Sequence, residues 1–180
     1  MRISKRALIV VVVAATMALL TGLASGAFGA EGKKHDGNSP HSGERHGGPL
    51  IKESLAPSQP TDPMFHGVNP GTVPWVLKFG DVRLKSNGHL DLRVKGLVIP
   101  SLGTSGPVTA ISAALYCGAD ANMIAADTTP QVPLSATGDA RIHDTSFSVP
   151  STCLAPVILV QPHGTGVPPN LYIAVDGWRP

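Results

Sequence analysis

The residues of this 180-residue chain that could do chemistry are seven histidines, two cysteines and a set of aspartates. His35, His41, His46 and His66 lie in a stretch built of Gly, Ser, Pro and balanced charge. Imidazoles on such a chain can gather around Zn²⁺, Cu²⁺ or Ni²⁺. Their spacings of 6, 5 and 20 residues match no rigid site. A solvated, His-containing linker is the expected reading, with a weak metal site on His35, His41 and His46 as the alternative. Asp139-Ala-Arg-Ile-His143-Asp144 sets a histidine beside an acid, with Ser146 close by. Neighbours on a strand face opposite sides, so His143 and Asp144 cannot serve one substrate without a bulge. An exposed strand edge is expected there. His163 opens a Gly/Pro loop, His-Gly-Thr-Gly-Val-Pro-Pro, where a solvated histidine is expected.

The rest of a hydrolase kit is missing from the sequence. There is no Gly-x-Ser-x-Gly elbow, no His-Glu-x-x-His, no phosphate-binding Gly loop and no Ca²⁺ loop. No Glu follows Glu53, which leaves aspartates as the carboxylates of the later chain. No catalytic residue is assigned and no cofactor is expected. Cys117 and Cys153 are the two cysteines, too far apart for a Cys-x-x-Cys redox or metal motif. In an exported chain a disulfide is the economical reading. It would close a loop of about 37 residues, worth about 4 kcal/mol by the loop-entropy estimate.

Export itself is read from residues 1–30. Met1 to Arg6 is basic, Ala7 to Leu23 is apolar or small, and small residues follow to Ala30. That is the tripartite pattern of a secretory signal peptide. Ser25-Gly26-Ala27 fits cleavage after Ala27. Cleavage after Ala30 is second, because it places Phe28 at the −3 position. The competing reading is an uncleaved anchor, for which the apolar run is at the short limit. Formal net charge is +2, but Arg2, Lys5 and Arg6 belong to this segment; without them 11 basic and 12 acidic residues give −1. A near-neutral chain carries no overall electrostatic footprint for nucleic acid.

Residues 31–72 read as a disordered linker. They have no hydrophobic period, and Pro49, Pro57, Pro60, Pro63 and Pro70 follow closely. Residues 73–180 read as the folded domain. Val82 and Leu84 alternate with Asp81, Arg83 and Lys85; Leu90, Leu92 and Val94 alternate with Asp91, Arg93 and Lys95. Both runs are half-buried strands. A three-residue loop, Ser86-Asn87-Gly88, pairs Leu84 with Leu90 and Val82 with Leu92, keeps the apolar residues on one face, and sets Arg83 against Asp91 and Asp81 against Arg93. Trp75, Leu77 and Phe79 have the wrong parity for that face, so a bulge at Gly80 is expected. Further strands are expected at 109–117, at 141–149 with an irregularity near Asp144, at 156–160, and at 171–175 with Leu171, Ile173 and Val175 on one face. The rhythm and size predict an antiparallel, immunoglobulin-like β-sandwich of about seven strands.

From Trp75 onward the chain resembles a family of short exported proteins of unknown function from high-GC Gram-positive (actinobacterial) bacteria. The resemblance rests on Trp75-Val, on Gly80-Asp-Val-Arg-Leu-Lys-Ser-Asn-Gly-His-Leu-Asp-Leu-Arg-Val and on Gly96-Leu-Val-Ile-Pro100. Pro107-Val-Thr-Ala, Cys117-Gly, Gly138-Asp-Ala-Arg-Ile and Cys153-Leu-Ala-Pro complete it. It covers about 100 residues and implies export with no functional residue to carry over. The expected function is a non-enzymatic surface-recognition or structural module at the cell envelope. Its expected partners are extracellular proteins or glycans, with no nucleic acid and no membrane contact beyond an uncleaved signal segment. The alternatives are an extracellular metal-binding protein using the linker histidines and a small extracellular hydrolase.

Overall fold

A computed structural model describes residues 48–177. The expected signal segment, and His35, His41 and His46, lie outside these residues. The described chain contains eleven strands and no helix. They are β1 (Pro49–Pro57), β2 (Asn69–Pro70), β3 (Phe79–Lys85), β4 (Leu90–Lys95), β5 (Ala110–Tyr116), β6 (Asp127–Thr128), β7 (Val132–Pro133), β8 (Ala140–Asp144), β9 (Val157–His163), β10 (Leu171–Tyr172) and β11 (Ala174–Asp176). Nine form one antiparallel sheet in the order β6-β5-β9-β11-β1-β3-β4-β8, with β7 also on β5, curled into a half-barrel. β2 and β10 form a separate parallel pair. The all-β, antiparallel expectation holds. The strands are more numerous and shorter than the seven anticipated, and eight of them follow one continuous path.

The β3–β4 hairpin forms in the expected register. Leu84 lies opposite Leu90, Val82 opposite Leu92, Arg83 opposite Asp91 and Asp81 opposite Arg93, while Gly88 takes a φ of +83°. No bulge occurs at Gly80: Phe79 pairs with Lys95 and Gly80 with Val94 without a break. Gly80 solves the parity problem differently. It faces the core, and an added Cβ would lie 2.9 Å from Leu55 Cβ and 2.5 Å from a Leu77 methyl. The missing side chain makes room for those two leucines, and Phe79 is left half exposed on the outer face.

The linker boundary is corrected by β1. Residues 49–72 belong to the fold. Ile51 and Leu55 are buried in the core, and the strand pairs with β3 through Ile51–Ser54 and with β11 through Leu55–Pro57. Two well-placed apolar residues and a full set of partners outweigh a proline-rich composition. Pro49 and Pro57 sit at the strand's ends, where a missing N–H costs least. The chain then crosses the outer face of β5, β9 and β11. Val68 and Phe65 pack there with Tyr172, Leu159 and Val175, and Tyr172 donates to the Pro63 carbonyl at 2.7 Å. β5 is therefore buried on both faces: Ile111, Ala113 and Leu115 meet the main core, Ala114 and Tyr116 the second cluster.

Two further expectations are adjusted. β8 stops at Asp144, whose Oδ1 accepts from Ser146 N at 2.8 Å and turns the chain so that Phe147 returns to the core. Leu171, Ile173 and Val175 do not share a face. Ile173 and Ala174 both enter the main core while Tyr172 and Val175 join the second cluster, so the alternation breaks between β10 and β11. Cys117, just after β5, is bonded to Cys153, with Cα atoms 5.0 Å apart.

Two stability predictions follow from these packings. Replacing both cysteines by Ala is expected to cost about 4 kcal/mol in a denaturant titration, and a loss below about 1 kcal/mol refutes the loop-closure account. Gly80→Ala is expected to destabilise by about 1–3 kcal/mol, because Leu55 is backbone-anchored at its Cβ and cannot retreat; an unchanged midpoint contradicts the packing at that position.

Candidate functional site

Of the sequence-nominated histidines, His66, His143 and His163 lie among the described residues, and the fold sets them on separate elements. His66 is buried at 2% exposure, stacked on Tyr116 with ring centres 4.9 Å apart, and its Nδ1 donates to the Asn122 carbonyl at 2.8 Å. It holds the loop over β5. His143 lies on the exposed face of β8 and donates through Nδ1 to Asp91 at 2.8 Å, beside Arg141 at 3.4 Å. The hydrogen bond from His143 holds the Asp91 carboxyl below its ordinary value. Asp144 is turned away onto Ser146, as strand geometry requires. Asp91 thus takes its ion-pair partners from β8, although Arg83 lies opposite it on β3.

His163 is the last residue of β9 rather than part of the loop. Its Nε2 lies 2.8 Å from Ser112 Oγ on β5, and burial pushes its pKa down. A neutral imidazole beside a serine is half of a nucleophilic pair. Ser112 is only 1% exposed, however, and no carboxylate is hydrogen-bonded to His163 among the described residues. The pair pins β5 to β9 where the ladder ends. Its 51-residue separation left no signal in the sequence.

The concave site is elsewhere. Three connections enclose an apolar cleft of about 510 Å³. They are 71–75 before β3, 99–108 after β4, and the run from Pro162 to Ile173. Trp75, 2% exposed, is fixed from both sides: its N–H donates to the Ser58 carbonyl at 3.0 Å, and its carbonyl accepts from Gln59 Nε2 at 2.9 Å. Gly71 closes against it, since an added Cβ would lie 2.9 Å from Trp75 Nε1 and 3.0 Å from Ser58 Oγ. The turn from Ile99 to Thr104, closed by an Ile99 N–H donated to the Thr104 carbonyl at 2.9 Å, carries Leu102 to the rim at 58% exposure. Val108, Pro162, Val167 and Ile173 complete the walls. Of the described residues lining the cleft, Ser101 and Thr72 offer hydroxyls and none is titratable. The cleft is in the size range of small-ligand sites, and its lining can enclose a group but offers no acid, base or thiol to react with it.

A second recess of about 450 Å³ adjoins the disulfide, lined by Cys117, Asn122, Ile124 and Leu154, but it is more open to solvent. Among the ionisable groups, the half-buried Asp176 stands out. Its Oδ1 accepts from Ile158 N at 2.8 Å, and burial, with Glu53 nearby, pushes its pKa up to about 6. No known protein family, curated protein or solved structure matches this chain.

Asp176 makes a pH prediction. Between pH 4 and 6 the unfolded chain releases this proton and the folded chain keeps it, so stability falls as pH rises through that window and the penalty is complete above it. Asp176→Asn retains an oxygen for Ile158 and is expected to raise stability at pH 7 by about 2 kcal/mol after screening, with little gain at pH 4. An equal gain at both pH values counts against burial as the cause.

Proposed function

We propose that this chain is an exported, non-enzymatic recognition module that takes a neutral, largely hydrocarbon group into the apolar cleft floored by Trp75. The observation that carries the reading is the cleft's lining: about 510 Å³ of space walled by Trp75, Ile99, Leu102 and Val167, with no titratable side chain among the described residues that line it. Such a lining rewards loss of water from apolar surface, and it penalises a charged headgroup. The disulfide and the signal-like leader support life outside the cytoplasm. The curl of the sheet over one core supports a sandwich-like module with its loops free for binding.

The test uses N-phenyl-1-naphthylamine, a neutral fluorescent probe that brightens in apolar surroundings. The full chain is expected to bind it, and Leu102→Asp, a change at an exposed rim position, is expected to weaken binding by about tenfold through the cost of placing a charge at the mouth. Equal binding by the variant, or none by the parent, sinks the cleft reading. Turnover of an ester, glycoside or peptide panel that disappears in His143→Ala or His163→Ala would replace it with the hydrolase reading.

A further inference from the structure

The charge balance of the chain conceals its distribution. The described residues contain seven Lys or Arg and nine Asp or Glu. Six of the seven cations stand on the outer face of the β1–β3–β4–β8 half of the sheet, and the seventh, Lys78, immediately precedes β3. The face carries Asp81 and Asp91 within its cross-strand rows and Asp139 at its border, where the Gly96 N–H engages it, giving six minus three, or +3. The other six acids do not stand in the outer-facing rows.

Register makes this arrangement costly. Lys52 lies directly opposite Arg83, and Arg93 directly opposite Arg141. Like charges in directly opposed positions destabilise a sheet. Among the described residues, Arg141 is the cation of this face that reaches a carboxylate, at 3.4 Å from Asp91. The cations fall into two triplets, Lys52, Arg83 and Lys85 on one side and Arg93, Lys95 and Arg141 on the other, with Asp81 and Asp91 between them. Neighbours within a triplet are about 5 Å apart across strands or about 7 Å apart along one. The second triplet lines a recess of about 350 Å³, ample for a phosphate group, in which Asp139 also stands with one carboxylate oxygen taken by the Gly96 N–H; a smaller recess of about 190 Å³ is lined by Arg93 and Arg141 together with Asp81 and Asp91.

We propose that this face is a docking surface for an extracellular linear polyanion bearing phosphate groups, with one phosphate seat at each triplet. Two seats separated by a pair of acids fit a chain that spans them better than one compact anion. Phe79 is the large apolar side chain exposed on this face, so there is little to insert into hydrocarbon, which argues against a lipid bilayer as the occupant. Bound phosphates also relieve the two like-charge pairs, which gives a physical reason for them on this face. This proposal is independent of the apolar cleft.

The test is titration of the full chain with inorganic polyphosphate of about 60 units at low salt, where electrostatic docking is strongest. Binding is expected, and it should weaken by about tenfold or more in R93Q/R141Q and again in R83Q/K85Q, and on raising salt from about 50 to about 200 mM. Tripolyphosphate, too short to span both triplets, should bind more weakly and respond to one pair of substitutions rather than both. Both double variants remove opposed like charges, so their melting temperatures should hold or rise, and lost binding can then be assigned to the face. No polyphosphate binding at low salt overturns the proposal, as does binding indifferent to both double variants. Tighter binding to phosphatidylglycerol vesicles at equal phosphate concentration also overturns it, in favour of a membrane surface.

Discussion

Everything in this fold hangs on β1 belonging to both halves of the sheet. Its first residues pair with β3, and its last three pair with β11. That changeover at Ser54–Leu55 lets one ladder curl over a single core instead of splitting into two sheets. It also sets the tight spots. Leu55, at the corner, lies against the bare backbone of Gly80, and any side chain there would meet it. Ser58, the next residue after the strand, donates its N–H to the Ile173 carbonyl and accepts from Trp75 N–H. The strand that joins the halves therefore also fixes the floor of the cleft.

The two halves have different physical characters because of what lies outside them. Over β5, β9 and β11 the chain from Phe65 to Val68 supplies a second apolar layer, so those strands are apolar on both sides and read as continuous runs such as Ile158-Leu159-Val160. Over β1, β3, β4 and β8 no described segment is laid, and the outer positions alternate as charges. Among the described residues one half is thus a buried platform on which loops are anchored, and the other is a sheet with a polar outer face.

Legibility in the sequence follows that division. The β3–β4 hairpin was readable to the residue because one-sided burial forces strict alternation, and Gly88 marks the turn. β1 was hidden: Pro49 and Pro57 flank it, its apolar residues are sparse, and its partners lie about 30 and 120 positions away in the chain. The Gly80 position shows a subtler limit. Alternation revealed a parity conflict at Trp75–Phe79, but a bulge and a vacancy for a neighbour's side chain resolve it equally well on paper, and only the approach of Leu55 selects between them. The Ser112–His163 contact and the Asp91 partners were unreadable for a related reason, since both depend on which strands become neighbours after β9 and β8 return to the sheet. The cleft escaped because its walls come from Gly/Pro connections that carry no period at all.

Net charge proved a poor guide to electrostatics for the same structural reason. A near-neutral sum describes a chain whose charges are mixed in space, and here they are sorted. Strand alternation places every second residue of β3 and β4 outward, and the sequence fills those places with Arg and Lys more often than with Asp. Pairing then brings Arg141 of β8 beside Arg93 and Lys52 of β1 beside Arg83, so two strands distant in sequence extend the same field. Asp91 tempers it locally by holding His143 and Arg141, and it is chiefly the His143 hydrogen bond that holds its carboxyl below the ordinary value. Charges on neighbouring strands stand about 5 Å apart, within the Debye length of about 8 Å at physiological salt, so they act together. A partner arriving at this half of the sheet meets a cationic surface, whatever the sum over the whole chain.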